Sequence, residues 1–348
     1  MKKKYPALVT QGFPLEIELS NSLLESLMEI SKIESLLLEG LKKPLELKLL
    51  RKARVRAITY SNQIEGNQLT ESEVTAILDG KKVAGREKDI LEIKNYQKAV
   101  DYVELLAADK RPMTLSDYLG IQRLVTEGTI NKKYSGSLRA IEVSIINSET
   151  NEVIDRCPEP HLLKALVDEL WLWFEANQHQ NPFVLAFSFH LLSVFIHPFA
   201  DGNGRTSRLL QHYVLMKNKK SVVQLIPSET SIMKYRDDYY KSIRLSKSLS
   251  KPTPFLEFLA KCFYESCKDI LDESKSIEKK SLKANERQKI IMKFAKKKKT
   301  FVVSDLESLL DQVSRRTIER DLSQLSEEGQ LQPSGKNKGR VYCVKVYT

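Results

Sequence analysis

The sequence predicts a mostly α-helical protein that has one β-hairpin in its helical core and a small α+β domain at its C-terminus. Apolar residues recur every three or four positions along most of the first 275 residues, which is the spacing of amphipathic helices. Ile141, Val143 and Ile145 instead alternate with polar residues, as they would in a strand. After residue 285 the pattern changes to short helices followed by a second hairpin.

Most helices are predicted from a capping residue, an apolar stripe and a stop signal. The first long helix begins at Ser20 or Asn21 and ends near Gly40. Thr70 and Glu73 form a capping box that starts another helix. Residues 5–18 contain two prolines and are predicted to be extended. The predicted helices span about 21–40, 44–66, 71–80, 85–109, 114–127, 160–178, 182–195, 203–218, 228–247 and 254–275.

The predicted hairpin in the core spans 137–156, with its turn at 147–151. Further along, residues 273–285 are polar and charged, and we predict a domain boundary there. A continuing solvent-exposed helix is the alternative. The predicted parts are therefore an N-terminal helical region (1–110), a helical core (111–275), a linker (276–284) and a C-terminal domain (285–348).

The composition is that of a soluble globular protein, and no stretch reaches the roughly 18 consecutive apolar residues of a membrane span. The first residues are basic but lack the apolar core of a signal peptide. The four cysteines do not show zinc-ligand spacing, so we expect free thiols and a cytoplasmic location. Of the net charge of +11, residues 279–348 carry +9, from 17 Lys and Arg against 8 Asp and Glu. This asymmetry predicts an appended basic module that contacts nucleic acid.

The most informative stretch, residues 197–208, reads His-Pro-Phe-Ala-Asp-Gly-Asn-Gly-Arg-Thr-Ser-Arg. Gly202 and Gly204 allow backbone conformations in which consecutive N–H groups line an anion-binding concavity. A helix that begins at Asn203 or Gly204 adds free N–H groups and the positive end of the helix dipole. The backbone of this stretch is therefore predicted to bind a phosphate chain.

The side chains of the same stretch add charge and a base. Arg205 and Arg208 lie three residues apart on one helix face, directed at the same anion. Asp201 could hold a divalent cation through oxygen, and His197 could act as a base near neutral pH. Each feature alone has an ordinary structural explanation, but together they supply what phosphoryl or nucleotidyl transfer needs.

The stretch matches every fixed position of the Fic family motif, His-x-Phe-x-(Asp/Glu)-Gly-Asn-Gly-Arg-x-x-Arg, and the chain resembles that family over most of residues 55–250. The resemblance implies an enzyme that transfers AMP from ATP to a Tyr, Thr or Ser hydroxyl of a target protein, or of itself, and releases pyrophosphate. It implies His197 as the catalytic base and Asp201 as the ligand of Mg²⁺. The phosphate-binding residues that it implies are Gly202, Asn203, Gly204, Arg205, Thr206, Ser207 and Arg208.

Ser61-Asn-Gln-Ile-Glu65-Gly66 is weak evidence by itself, because serine, an acid and glycine are ordinary at helix ends. Beside a Fic motif it resembles the family's inhibitory helix, (Ser/Thr)-x-x-x-Glu-(Gly/Asn), which would cover about residues 55–67. The resemblance implies that Glu65 pairs with Arg208 and takes the arginine that the γ-phosphate of ATP needs.

Two further assignments follow from the resemblance. The hairpin after Gly136-Ser-Leu-Arg139 occupies the position of the family's target-binding flap, which gives Arg139, Ile141, Val143 and Ile145 that role. An ordinary edge hairpin is the alternative. Tyr239 and Tyr240 lie where relatives present an aromatic side chain to adenine, although plain core packing explains them as well.

The order of elements after residue 285 resembles a winged helix-turn-helix domain. Arg315, Arg316 and Arg320 would lie on its recognition helix, and Lys336, Lys338 and Arg340 on its wing. The alternative to DNA binding is a small packing or dimerisation module with basic edges.

We therefore predict an autoinhibited protein adenylyltransferase that uses ATP and Mg²⁺. Within the enzyme class, the alternatives are transfer of another phosphate-containing group and removal of AMP. An alternative of another class is a transcription regulator whose Fic domain senses nucleotide. The N-terminal helices could form a homodimer or pack on the core.

Overall fold

The computed structural model describes residues 4–146, 153–298, 300–335 and 340–345. Its contacts divide the chain into two units, Met1–Leu271 and Asp272–Thr348. The mostly helical prediction is confirmed. Among the described residues, every helix is too short or too polar to cross a bilayer.

The first unit consists of helices and one two-stranded antiparallel sheet, β1(Ser144–Ile146) with β2(Val153–Arg156). Three-residue 3₁₀ segments at Lys132–Tyr134 and Pro160–Leu162 and a longer one at Lys220–Leu225 connect the helices. The helices are α1(Pro6–Thr10), α2(Asn21–Gly40), α3(Lys43–Ile64), α4(Glu71–Leu78), α5(Glu87–Ala108), α6(Leu115–Thr126), α7(Leu163–Ala176), α8(Pro182–Ile196), α9(Asn203–Lys219), α10(Ser228–Lys234), α11(Arg236–Leu249) and α12(Thr253–Lys297), the last of which continues into the second unit.

Helix α8 is the centre of the first unit. Every residue from Phe183 to Ile196 is buried, and α9 packs along it. Phe174 and Phe189 stack at 4.2 Å between ring centroids. Burying one such side chain contributes about 1.5–3 kcal/mol, so this helix is a rigid support for the loop that follows it.

The structure corrects three predictions about elements of the first unit. Residues 5–18 were predicted to be extended, but Pro6 begins α1, since proline suits the first turn and the Glu169 carboxylate accepts hydrogen bonds from the free N–H groups there. The helix predicted over 228–247 is interrupted at Tyr235, whose φ of −115° and ψ of 40° are not helical. Ile141 and Val143 were predicted in a strand but precede β1, and the predicted turn at 147–151 lies outside the described residues.

Residues 276–284, predicted as a linker, lie within α12, which is the alternative considered for this segment. The sequence between Pro254 and Lys297 contains no glycine or proline, so nothing in it stops the helix.

The second unit contains the end of α12, β3(Phe301–Val302), α13(Val303–Glu307), α14(Arg315–Glu327), β4(Leu331–Ser334) and β5(Val341–Val344). Its strands form an antiparallel sheet in the order β3-β5-β4. The core includes Ile291, Phe301, Ile318 and Leu322. Asp321, whose side chain is 1% exposed, accepts a 2.7 Å hydrogen bond from Arg287.

The basic residues predicted for DNA lie at the surface of this unit where the structure describes them. Arg315, Arg316 and Arg320 are exposed on α14, and Arg340 is exposed just before β5. Lys336 and Lys338 lie outside the described residues.

Candidate active site

The loop between α8 and α9 brings the predicted catalytic residues together. His197 ends α8 in the left-handed conformation, with φ of 48° and ψ of 56°, and Gly202 turns the chain again at φ of 81°. Asn203 then begins α9, and its side-chain amide closes the loop by accepting from the N–H of Phe199 and donating to its carbonyl, both at 2.9 Å. The amide of Asn203 therefore shapes the loop, with its oxygen and one of its two N–H donors used by Phe199.

His197 has the environment of a neutral base. Its Nδ1 lies 3.3 Å from the carbonyl oxygen of Val194, which can only accept, so Nδ1 carries the proton and Nε2 is left with a free lone pair. Burial lowers the pKa of His197, although the bond to Val194 and the charge of Glu65 oppose the shift. The imidazole therefore stays uncharged at neutral pH and can accept a proton.

Arg139 supports this loop instead of facing a target. Its side chain is buried and donates to three carbonyl oxygens, those of His197 at 2.8 Å, Ile141 at 2.8 Å and Pro158 at 2.6 Å. Its own N–H donates to the carbonyl of Pro198 at 2.9 Å. Each nitrogen of the guanidinium thus donates to a backbone carbonyl, and we assign Arg139 a positioning role in place of the predicted target contact.

The start of α9 offers donors for an anion. The Arg205 and Arg208 side chains are 3% and 1% exposed. Nε of Arg205 and Nη1 of Arg208 have no hydrogen-bond partner among the described residues, and Nη1 of Arg205 makes an ion pair with Glu92 at 3.3 Å without hydrogen-bond geometry. Buried donors without partners cost about 1–3 kcal/mol each, so a phosphate that accepted from them would be bound favourably.

Glu65 occupies this anion site. Its Oε1 lies 2.8 Å from Nη2 of Arg208, and Ser61 accepts from Arg208 through both its hydroxyl and its carbonyl at 2.8 Å. A Cβ built on Gly204 would lie 2.3 Å from the same Oε1, so the carboxylate rests against the first turn of α9, at the position that suits a phosphate. Only glycine at 204 leaves room for this contact.

The charges at this pair reinforce each other. Burial opposes ionisation of Glu65, but the positive charges of Arg208 and Arg205 and the hydrogen bond from Arg208 hold its pKa below the ordinary value. Burial likewise opposes the charge of Arg208, and the carboxylate of Glu65 raises its pKa. Both groups are therefore charged across the physiological pH range.

A cavity of about 260 Å³ opens beside the pair and has space for a nucleobase. His197, Glu65, Tyr239, Tyr240 and Ile243 are among the residues that line it. Both tyrosines predicted to contact adenine thus line the same cavity as His197, the predicted catalytic base.

The two tyrosines differ in their freedom to bind adenine. The Tyr239 hydroxyl bonds to Nε2 of the buried His190, whose Nδ1 bonds to Gln211, so Tyr239 is held in the core. Burial lowers the pKa of His190 to about 3. Tyr240 is only partly buried, and the guanidinium of Arg236 lies 5.2 Å from its ring centroid.

Two predicted phosphate ligands, Ser207 and Thr206, are bonded differently within α9. Ser207 is buried, and its hydroxyl donates to the carbonyl of Asn203 at 2.8 Å and lies 3.0 Å from the hydroxyl of Ser193, from which it can accept. Thr206 is also buried, and its N–H already donates to the carbonyl of Gly202 at 2.9 Å. Ser207 therefore faces α8, whereas the buried hydroxyl of Thr206 has no hydrogen-bond partner among the described residues, and the donors assigned to a phosphate remain those of Gly204, Arg205 and Arg208.

Asp201 lies at the open edge of the site. Its side chain is 42% exposed, accepts a 2.6 Å bond from the N–H of Gly202, and lies 3.5 Å from Nη2 of Arg205. A single carboxylate beside a phosphate site fits Mg²⁺, which takes one or two protein carboxylates together with substrate phosphates.

Val143, one of the residues predicted to form the flap, lies beside a larger cavity of about 500 Å³. Val143 and Ser144 line this cavity together with Phe13 and Phe195, and Ser144 also lines the 260 Å³ cavity. Ile141 is 42% exposed, whereas the side chain of Ile145 lies outside the description.

Sequence reasoning missed Arg236 and Glu92. Nε of Arg236 donates to the carbonyl of Ile64 at 3.0 Å and so holds the end of α3, which positions Glu65. Glu92 lies 3.3 Å from Nη1 of Arg205. A single charged residue on an amphipathic helix carries no local signal for such contacts, because only the packing of distant helices creates them.

The comparisons with known proteins agree with this geometry. Residues 112–215 match the model of the Fic/DOC family. The chain is 30% identical over 219 residues to a protein adenylyltransferase Fic from Nematostella vectensis, covering 61% of this chain and 48% of that protein. It is 31% identical over 225 residues to one from Drosophila grimshawi, covering 61% and 43%. The chain therefore spans less than half the length of these curated relatives.

The fold extends the likeness over nearly the whole chain. A crystal structure of a Fic family protein from Desulfovibrio desulfuricans G20 matches with a TM-score of 0.69 and 25% identity, covering 97% of this chain and 99% of that one. The matches support the Fic family for this chain, and the matched segment contains His197, Asp201, Arg205 and Arg208.

Proposed function

We propose that this protein is an autoinhibited protein adenylyltransferase, which moves AMP from ATP to a hydroxyl side chain of a target protein or of itself. The observation that carries the proposal is the Glu65 carboxylate bound to Arg208 at the start of α9, beside a neutral His197. The ion pair, the neutral His197 and the adjoining cavity lie together, and in this arrangement an internal carboxylate occupies the place of a phosphate.

In the proposed reaction the target hydroxyl oxygen attacks the α-phosphorus of ATP. A bond forms between that oxygen and phosphorus, the bond from phosphorus to the pyrophosphate oxygen breaks, and Nε2 of His197 takes the hydroxyl proton. Arg205, Arg208 and the first N–H groups of α9 hold the β- and γ-phosphates, which fixes the α-phosphorus in line with the hydroxyl.

Asp201 would hold Mg²⁺, which would offset the negative charge of the phosphates. The nucleobase would lie in the 260 Å³ cavity against Tyr240. Edge strand β1 would bind the target backbone as an added strand, which selects extended segments more than particular side chains.

Glu65 inhibits in this proposal by competing for Arg208. With Glu65 in place, the terminal phosphate loses one charged partner and the space against Gly204. ATP would still bind, but with its phosphates out of line for attack.

The test is incubation of the chain with ATP and Mg²⁺, followed by intact-mass measurement. Addition of one AMP, fast for Glu65→Gly and slow for the wild type, supports the proposal. Removal of AMP is a second candidate, favoured because Glu65 lines the same cavity as His197 and could position water there. Loss of AMP from a pre-labelled target that requires Glu65 would establish that direction.

The second unit is proposed to be a winged helix-turn-helix module that contacts DNA through Arg316 and Arg320. Arg315 is a weaker candidate, because its guanidinium already pairs with Glu307 at 3.1 Å and Glu319 at 3.0 Å. If ATP leaves no label on any variant while the chain binds one DNA sequence selectively, the nucleotide-sensing regulator replaces the transferase.

A further inference from the structure

A second cavity, of about 280 Å³, lies in the first unit and shares no lining residue with the active-site cavity. Its walls come from α3, α5, α9, α10 and the 3₁₀ segment before α10. The residues that matter for its chemistry are Arg54, Ala57, Tyr96, His212, Gln224 and Glu229. A cavity of roughly 150 Å³ holds one benzene ring, so this one has room for a substituted bicyclic ring.

The charged groups at this cavity are neutralised. Arg54 is paired with Asp101 and with Glu104, the latter at 3.1 Å. Burial lowers the pKa of His212 to about 4, with the charge of Arg54 adding to the shift. Burial raises the pKa of Glu229 to about 7, opposed by its own backbone N–H and by Arg208. An occupant therefore meets a paired Arg54, a neutral His212 and a Glu229 that is protonated below about pH 7, which favours an uncharged molecule.

The polar groups of the cavity suit the edge of a heterocycle. A protonated carboxyl such as that of Glu229, and the amide of Gln224, each present a donor and an acceptor side by side. Nucleobases carry the complementary pair, a ring N–H or amine next to a carbonyl or ring nitrogen, and glutamine and glutamate read such edges in nucleic acids. Tyr96, Ala57 and Leu209 supply the apolar walls for the ring faces.

A chain of contacts connects this cavity to the inhibitory pair. Tyr96 lines the cavity, and its hydroxyl lies close enough to that of Ser61 for Ser61 to oppose the rise that burial causes in the pKa of Tyr96. The Ser61 hydroxyl accepts from Nε of Arg208, and Nη2 of Arg208 donates to Glu65. Helix α3 provides a second connection between the cavity and the inhibitory pair, since Ala57 in the cavity wall lies one turn before Ser61.

We propose that this cavity is an effector site for an uncharged nucleobase or nucleoside, which acts through Tyr96 and Ser61 to strengthen the hold of Glu65 on Arg208. The inference rests on the proposed autoinhibition. The direction is part of the proposal: an occupant packed against Tyr96 and Ala57 would fix α3 in the arrangement from which Ser61 and Glu65 hold Arg208, and that differential contact is what linkage requires.

The experiment uses the full chain with free uracil, cytosine, adenine and hypoxanthine as probes. We expect at least one base to raise Tm, to slow hydrogen exchange at residues 61–66, and to lower wild-type AMP labelling roughly tenfold, within the usual range of allosteric coupling. Ala57→Phe fills the cavity and should abolish all three effects. Ile243→Phe, which obstructs the active-site cavity instead, should retain the rise in Tm and the slowed exchange.

Gln224→Leu is nearly isosteric and serves as a second variant in case Ala57→Phe misfolds. It should weaken the binding of the same base at least fivefold. The proposal is overturned if no base raises Tm, if the rise in Tm persists in both Ala57→Phe and Gln224→Leu, or if a base binds without slowing hydrogen exchange at residues 61–66. Labelling of Glu65→Gly by ATP without any base tests the transferase separately. If that labelling fails, the proposed function fails, while Tm and hydrogen exchange still decide the effector site.

Discussion

Replacing Glu65 by glycine should release the enzyme, and the structure sets the size of the effect. The Arg208 side chain is 1% exposed but that of Glu65 is 32% exposed, so the pair is only partly shielded from water. Exposed pairs contribute about 0–1 kcal/mol, and breaking a fully buried pair costs about 3–5 kcal/mol. An intermediate bias of about 2 kcal/mol corresponds to a rate increase of roughly 30-fold.

The assay is the initial rate of AMP incorporation from ATP and Mg²⁺ into the chain, followed by intact mass. Glu65 is the C-cap residue of α3, with φ of −91° and ψ of 9°, a conformation that glycine adopts freely, so the variant should fold. We expect labelling at least tenfold faster than in the wild type.

Two controls separate loss of charge from loss of structure. Glu65→Gln keeps the size of the side chain and removes its charge, so its rate should lie between those of the wild type and Glu65→Gly. Combining Glu65→Gly with Arg208→Ala removes the arginine that aligns the phosphates, and labelling should fall again. A folded Glu65→Gly protein that labels no faster than the wild type would show that Glu65 does not inhibit.

The other predictions concern the base, its support, a buried carboxyl and the second unit. His197→Ala should lower labelling in the Glu65→Gly background by roughly 10²–10⁴ and leave ATP affinity within a few-fold; retained activity would remove the base assignment. Arg139→Lys should lower kcat more than it changes KM for ATP, because a compact ammonium cannot reach all three of the carbonyls that the planar guanidinium spans; equal effects on both would contradict a positioning role. The pKa of Glu229 is raised in the folded state, so ionising this carboxyl destabilises the fold as pH rises from the unfolded-state pKa through about 7. Glu229→Gln should therefore increase the free energy of unfolding at pH 8 by up to about 3 kcal/mol and lose most of this gain by pH 5. Thermal melts at the two pH values check this, since Tm of the variant should exceed that of the wild type only at pH 8. Arg316→Glu with Arg320→Glu should abolish salt-dependent DNA binding without changing AMP labelling, and unchanged binding would exclude this face of α14.

Elements predicted from the sequence depend on local signals, and the errors arise where distant residues act. Thr70 and Glu73 form the predicted capping box because both partners lie within one turn. Helix α1 was missed because its N-terminal cap is the carboxylate of Glu169, far along the chain. The break at Tyr235 was not predicted, because no glycine or proline lies there to indicate it.

The same division applies within the active site. The identities in 197–208 indicated a phosphate site because twelve contiguous residues carry the loop, the helix start and the charges. The directions of Asn203 and Ser207 were not predicted, because an amide or hydroxyl can bind substrate or backbone equally well. Packing of α9 on α8 turned both side chains into the protein. Arg139 was likewise assigned to target binding from its position in a motif. Its three carbonyl partners belong to separate segments, so the sequence did not indicate them.

By itself, the sequence determined the local chemistry: helical segments through their apolar period, and an anion site at a glycine-rich helix start. What acts on that site was decided only by the tertiary structure. Glu65 and Arg208 are 143 residues apart, and spacing along the chain places no limit on whether they meet. Packing of α3 against α9, with Arg236 holding the end of α3, puts the carboxylate 2.8 Å from the guanidinium. A phosphate site is a property of a short stretch, but its inhibition depends on how two distant helices pack.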